Sequence, residues 1–163
     1  MRLLGALLVV AGVIAPALGA ECPLVNARYD QPGSDWIIEF HEVPVSAMVN
    51  QTAAFTMTLP KSGVVLRGDV WQPNGYAQSW GALEGPCDPK ADAKKVQTCR
   101  LWEAVVYTEM VNGISVLASN DLAPAPLQIL LPQLTSAMWY SSYRREFNDA
   151  DPGDVFTFAG CAR

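Results

Sequence analysis

Hydrophobic and polar residues alternate in short runs along most of this chain, and turn residues separate the runs. In Trp36–Val43, Trp36, Ile38 and Phe40 share one face, while charged side chains occupy the other. A period of two is typical of a half-buried strand. The same pattern predicts further strands at Ala53–Leu59, Val64–Trp71, Trp80–Leu83, Val96–Val111, Ile114–Ala118, Leu127–Leu131 and Val155–Phe158.

Two local signals refine these strands. Asn112-Gly113 lies between the long run and Ile114–Ala118, and an Asn-Gly pair between two strands predicts a hairpin. We expect both residues to take positive φ in a type I′ turn. Gly68 interrupts Val64–Trp71 and suggests a bulge there.

One segment has a helical period instead. Between Gln133 and Phe147 apolar residues recur at three- and four-residue steps, and Pro132 suits the first turn of a helix. Tyr143 and the Met138–Tyr140 stripe form the apolar face, which we interpret as core rather than as a ligand box. The predicted fold is therefore mainly β, an antiparallel β-sandwich or partly open β-barrel with one helix in its C-terminal half.

The N-terminus has the pattern of a signal peptide. Arg2 precedes an apolar run from Leu3 to Ala15, and small residues follow Pro16 up to Ala20. The run is short for a membrane anchor, which needs roughly 20 residues. We expect a leader at 1–20, a single domain at 21–163, and a mature protein in the periplasm or outside the cell. The short Leu-, Val- and Ala-rich leader is typical of bacteria.

The four cysteines, Cys22, Cys87, Cys99 and Cys161, all lie in the expected mature domain. An even number in an exported chain predicts two disulfides, with three possible connectivities. We prefer Cys22–Cys161, which ties the ends together, and Cys87–Cys99, which closes a polar loop. A zinc site is the alternative, but it usually draws its cysteines from close pairs that this chain lacks.

The charge balance argues against two classes of partner. Loss of the leader removes one of the 11 basic residues and none of the 16 acidic ones, so the net charge moves from −5 to about −6. Nucleic-acid binding depends on a basic footprint, and so does attachment to anionic lipid. We therefore expect no nucleic-acid partner and, after leader removal, no membrane association.

Candidate chemistry is sparse. His41 is the only histidine, and with Glu39 on the same strand face it is a possible acid–base pair, although a solvated surface role is commoner. Nothing in the sequence indicates a nucleophile, a phosphate-binding loop or a cofactor. Acidic pairs also occur: Glu103 with Glu109, Asp88 with Asp92, and Asp151 with Asp154. The possible interpretations of such pairs are a glycosidase site, a calcium site or solvated surface residues.

The segment Trp71–Trp80 is the most suggestive one. It places Trp71, Tyr76 and Trp80 within ten residues of polar, turn-rich sequence around Asn74. Exposed aromatic side chains on a rigid loop make good recognition surfaces for sugars, peptides or proteins. Burial of Trp71 and Trp80 against the core is the commoner outcome in a domain with five Trp, and it would remove this interpretation.

The sequence thus predicts an exported, non-enzymatic binding or accessory domain of the bacterial envelope. Trp71, Asn74, Tyr76 and Trp80 are its candidate contacts, and a protein or a glycan is the expected partner. The alternatives are a small periplasmic hydrolase or carbohydrate-active enzyme, and a structural subunit of an envelope complex.

Overall fold

The computed structural model describes residues 22–75, 78–90, 97–147 and 153–162. Within these residues the chain forms one antiparallel sheet of ten strands and a single α-helix. The helix, α1, is Leu134–Trp139. The strands are β1 Ala27–Asp30, β2 Ile37–His41, β3 Gln51–Leu59, β4 Val64–Trp71, β5 Trp80–Pro86, β6 Thr98–Val105, β7 Tyr107–Met110, β8 Gly113–Val116, β9 Gln128–Leu130 and β10 Val155–Cys161.

The sheet curls into a nearly closed barrel, which settles the choice between sandwich and barrel. Its strand order is β6-β5-β4-β3-β2-β1-β10-β9-β7-β8. Thr98–Met110 is one extended stretch: β6 pairs with β5, while β7 pairs with β9 and β8. This one stretch of chain therefore supplies β6, the first strand of the order, and β7, the last strand but one. The last strand, β8, pairs with β7 alone.

The single interruption in this stretch lies at Val106. The predicted strand Val96–Val111 is therefore two strands in the structure. The Val106 N–H donates to the carbonyl oxygen of Ser79 at 2.9 Å, and the Val106 carbonyl accepts from Leu117 N–H at 3.0 Å. Both backbone groups of Val106 are thus satisfied across the change of partner, as buried peptide groups require.

Side chains fill the interior of the barrel. The inward-facing positions are large and fully buried, and they include Tyr29, Phe40, Phe55, Met57 and Phe156. Tyr29 makes edge-on ring contacts with Phe40, and its hydroxyl donates to the Pro126 carbonyl at 3.1 Å. The barrel centre is therefore a packed core.

The predicted helix Gln133–Phe147 crosses one end of the barrel, but it is broken. α1 ends at Trp139, and a 3₁₀ turn follows at Ser142–Glu146, where the Ser141 side chain accepts from Tyr143 N–H. Asp154 anchors the start of α1, because its carboxylate accepts from the backbone N–H groups of Gln133 and Thr135 at 2.7 and 2.8 Å. Two short helical pieces follow the curved rim more closely than one straight helix.

The apolar stripe of this segment is only partly core. Met138 and Tyr143 are fully buried, as expected. Trp139 is partly exposed and lies under the Arg144 guanidinium at 4.3 Å, and Tyr140 is 86% exposed. The other barrel end is covered by a 3₁₀ turn at Leu24–Asn26, whose Leu24 side chain is buried.

Two local expectations were wrong in detail. The hairpin between β7 and β8 is present, but Gly113 alone takes a positive φ, of 116°, and it pairs with Met110. The turn is therefore not type I′. Gly68 pairs regularly with Phe55, and the bulge in β3–β4 pairing lies between Gln51 and Ala53 instead. Strand β1 was not predicted, because Ala27–Asp30 is too short to show a clear alternation.

Both expected disulfides are present, Cys22–Cys161 and Cys87–Cys99, and none of the four cysteines is free. Cytosolic proteins seldom hold structural disulfides, so the two bridges indicate an exported protein. The predicted leader at 1–20 lies outside the described residues. In the described ranges, no helix has the length and apolar character needed to cross a bilayer.

The two disulfides should contribute unequally to stability. They close loops with sequence separations of 139 and 12 residues. Because a longer loop loses more entropy on cross-linking, Cys22→Ser/Cys161→Ser should cost about 5 kcal/mol and Cys87→Ser/Cys99→Ser about 3 kcal/mol. Urea unfolding of the oxidised proteins measures both losses. A larger loss for the short loop would contradict this account.

Gly68 should tolerate no side chain, because a Cβ there would overlap the Phe55 ring that lies across it. Gly68→Ala should therefore lower the free energy of unfolding by about 1–3 kcal/mol, the usual cost of overpacking a core. Gly153→Ala is the matched control, since its Cβ would meet nothing nearer than the Gln31 side-chain nitrogen at 3.6 Å. Equal effects of the two substitutions on thermal unfolding would refute the packing explanation.

Candidate functional site

The outer face of the barrel presents Trp71 and Trp80 side by side. Both side chains point away from the core, because they alternate with the core positions Leu66, Gly68 and Val70 of β4 and Gly81, Leu83 and Gly85 of β5. Ala82 is buried as well, on the same side of β5 as Trp80. Trp71 and Trp80 are directly opposite each other in the β4–β5 register, and each is about half-buried. Neither tryptophan belongs to the buried core, and neither is among the exposed large hydrophobic residues.

Of the other two candidate contacts, the structure describes only Asn74. Asn74 is exposed in the turn that precedes Gly75, where φ is 78°. Tyr76 lies outside the described residues. The turn predicted from Gln72–Tyr76 is present at Asn74-Gly75, where glycine accommodates the positive φ.

Beyond the tryptophans, the same face has a ladder of charged side chains. Glu84 on β5 lies between two guanidinium groups, at 3.1 Å from Arg67 Nη2 and 3.3 Å from Arg100 Nη2. Asp69 lies 3.4 Å from Arg67 Nε and accepts from Gln51 Nε2 at 2.9 Å. We call these five residues the polar ladder.

One further charged residue, Glu103, lies beside the polar ladder. Glu103 pairs with Arg100, and hydrogen bonds to Glu103 and then to Glu84 raise the pKa of Arg100 above its ordinary value. Exposed ion pairs contribute little to stability, about 0–1 kcal/mol each. What the ladder provides is therefore a row of hydrogen-bond donors and acceptors on one face of the sheet.

A groove of about 360 Å³ lies over the ladder. Its floor includes Ala82, a small residue between the aromatic and charged parts of the face. The Pro44–Met48 loop forms one side, and Trp71 and the polar ladder form the other. We call this site the Trp71 groove. Trp80 and Asn74 are its neighbours and do not line it.

Hydrogen bonds hold the loop side of the groove in place. The Asn50 side chain donates to the Gln72 carbonyl at 3.1 Å, and Gln72 N–H donates back to the Asn50 carbonyl at 3.0 Å. A turn closed by Ala47 N–H on the Pro44 carbonyl shapes the loop itself. The loop projects Val45 and Val49 into solvent, and Met48 is largely exposed as well.

His41 and Glu39 do not form an acid–base pair. His41 Nε2 lies 2.9 Å from the Thr56 hydroxyl on an exposed part of β2, whereas Glu39 lies 3.5 Å from Arg28. The pair on which the hydrolase alternative depends is thus engaged in two separate surface contacts.

The acidic pairs are also dispersed. Asp154 caps α1, and its expected partner Asp151 lies outside the described residues, as does Asp92. Glu103 pairs with Arg100 on β6, and Glu109 is on β7. Among the described residues, no group of three His, Cys, Asp or Glu side chains is placed to hold a metal ion.

A second groove, of about 600 Å³, opens beside the helical end, where Ser62, Asp88 and Glu146 lie. Two of its polar side chains have structural partners: Glu146 accepts from Ser62 N–H, and Ser142 donates to the Cys87 carbonyl at 2.6 Å. None of the described residues that line it is aromatic. The Trp71 groove therefore has the better combination of apolar and polar groups for a ligand.

Sequence reasoning missed the polar ladder. Alternation does place Arg67, Asp69 and Trp71 on one face of β4, so part of the signal is readable. The contributions of Gln51, Glu84 and Arg100 depend on the pairing of β3, β5 and β6, which alternation does not specify.

No protein-family model, curated protein or solved structure matches this chain. The site is therefore interpreted from its own geometry.

Tyr143 should make the fold sensitive to alkaline pH. Its hydroxyl donates to the Pro86 carbonyl at 2.8 Å, and burial, followed by the nearby Glu146 and Asp88 charges, raises its pKa from 10.0 to about 12. A raised folded-state pKa means that this stabilisation is complete below pH 10 and is lost as the pH rises from 10 to about 12.

Tyr143→Phe should be less stable than the wild type at pH 8, because it loses the hydrogen bond, but its stability should decline less steeply between pH 10 and 12. Urea unfolding across this range measures both effects, with Tyr140→Phe as the control at an exposed tyrosine. Identical slopes for wild type and Tyr143→Phe would show that Tyr143 does not contribute.

Proposed function

We propose that the protein is an exported, non-enzymatic binding domain that takes its ligand in the Trp71 groove. One observation carries the proposal: a half-buried tryptophan lines a groove together with five hydrogen-bonding side chains that contact one another. Binding sites commonly combine an apolar surface with a few well-placed polar groups.

The packed barrel interior supports an external site. A barrel that carries a ligand inside needs an open centre, whereas this one is filled by aromatic and aliphatic side chains. A ligand therefore has to meet the outer face, where the sheet gives its side chains a rigid support. The expected partner classes are a glycan or a protein of the bacterial envelope.

The separate contacts of His41 and Glu39 favour binding over hydrolysis. General acid–base catalysis needs each group within hydrogen-bond reach of the substrate proton that it transfers. Here Thr56 and Arg28 are their neighbours instead. Turnover of a model glycoside or ester that His41→Ala abolishes would support the enzymatic alternative.

A comparative capture experiment tests the proposal. The oxidised mature domain, Trp71→Ala and Tyr140→Ala are immobilised and exposed to envelope extract from the source cells, and retained proteins and glycans are identified by mass spectrometry. Tyr140 is the control because it is a highly exposed aromatic residue that does not line the groove.

We expect a ligand retained by the wild type and Tyr140→Ala, with at least about tenfold less on Trp71→Ala, since losing a stacked aromatic costs on the order of 1.4 kcal/mol. Thermal unfolding confirms that Trp71→Ala is folded. Indistinguishable profiles for the wild type and Trp71→Ala would refute the groove as the binding site.

A further inference from the structure

The geometry points to a neutral saccharide as the ligand of the Trp71 groove. This inference rests on the proposed function and deepens it. Three properties of the groove converge on it: an aromatic face, hydrogen-bonding groups of both kinds in fixed positions, and balanced charge.

The aromatic face is supplied by Trp71. Its side chain is half-buried and lines the groove. An aromatic ring carries negative charge density on its faces, which attracts groups with a positive edge. The C–H groups of a sugar ring form such an apolar, weakly positive surface, so a pyranose can lie against the indole.

The polar ladder supplies partners for hydroxyl groups. Asp69 and Glu84 accept hydrogen bonds, whereas Gln51, Arg67 and Arg100 donate them. Each carboxylate accepts about four hydrogen bonds and each guanidinium donates five, so the mutual contacts leave capacity on both. A hydroxyl group both donates and accepts hydrogen bonds. This mixed set of side chains therefore suits a ligand rich in hydroxyl groups better than one that only donates or only accepts.

Charge balance argues for a neutral ligand. The two guanidinium groups that line the groove face two carboxylates at 3.1–3.4 Å. Neighbouring Glu103 adds a further negative charge beside Arg100. An anionic ligand such as a phosphate or an acidic sugar would have to compete with these carboxylates for the arginines, whereas a neutral one leaves the ion pairs intact.

The dimensions also fit. About 360 Å³ is within the range of small-molecule sites, roughly 300–1,000 Å³. The mixed lining distinguishes the groove from the adjacent loop surface, where Val45 and Val49 project into solvent. A protein partner would be expected to cover those valines, so the protein alternative makes a separate prediction.

The test is a titration of the full mature domain with neutral oligosaccharides of glucose, mannose, galactose and N-acetylglucosamine, followed by tryptophan fluorescence and calorimetry. We expect at least one to bind saturably, with affinity changing less than about twofold between low and high salt, because screening affects charged ligands. Oligosaccharides containing uronic acid should bind more weakly.

Matched variants assign the binding to the groove. Trp71→Ala and Asp69→Ala should each weaken it about tenfold or more. The affinity of Trp71→Phe, which keeps an aromatic face, should stay within about threefold of the wild-type affinity. Tyr140→Ala should bind with the wild-type affinity. Trp71 is half-buried and the Asp69 side chain is 20% exposed, so thermal unfolding of each variant verifies that it is folded.

The outcomes separate this inference from the proposed function. No neutral saccharide bound, or binding unaffected by Trp71→Ala, overturns the saccharide assignment. If the capture experiment then yields a protein that Trp71→Ala loses, the binding role stands with a protein ligand, and a further loss on Val45→Ser/Val49→Ser extends the contact to the loop. If neither experiment depends on Trp71, both proposals fall.

Discussion

Closure of the sheet by the single stretch Thr98–Met110 is the constraint on which the rest of the structure depends. This stretch pairs with β5 through β6 and with β9 through β7, so consecutive strands of the chain lie at or next to the two ends of the sheet. Open sheet edges expose unpaired backbone groups, and closure removes most of them. It also sorts every strand into an inner and an outer face.

Closure also produces a packed interior. Phe55 lies across Gly68 and Tyr29 packs against Phe40, so large rings occupy the space that a carrier barrel would leave open. On the outer face the same strand pairing aligns Arg67, Glu84 and Arg100 in one row. Exposed ion pairs of this kind add little stability, so what the pairing provides is a row of donors and acceptors on one face of the sheet.

Much of the fold was readable from local pattern, and most of the site was not. Alternation located nearly every strand, and the Asn112-Gly113 pair located the hairpin. The helical period of Gln133–Phe147 was also right, although the barrel rim breaks the helix at Tyr140. Trp71 was identified as a contact candidate, but its exposure depends on the side of the sheet that β4 turns outward.

The sequence by itself determined the mainly β fold class, the expected number of disulfides and the aromatic segment of interest, because alternation and turn residues act over short distances and four cysteines make two pairs. It favoured one of three disulfide connectivities, and the structure has that one. Only the tertiary structure decided that the sheet closes, that both tryptophans face outward, and that Gln51, Asp69 and Glu84 meet beside Trp71. The physical reason is register: residues from three strands become neighbours through backbone pairing over long sequence separations, and side-chain pattern along one strand does not encode which strand lies next to it.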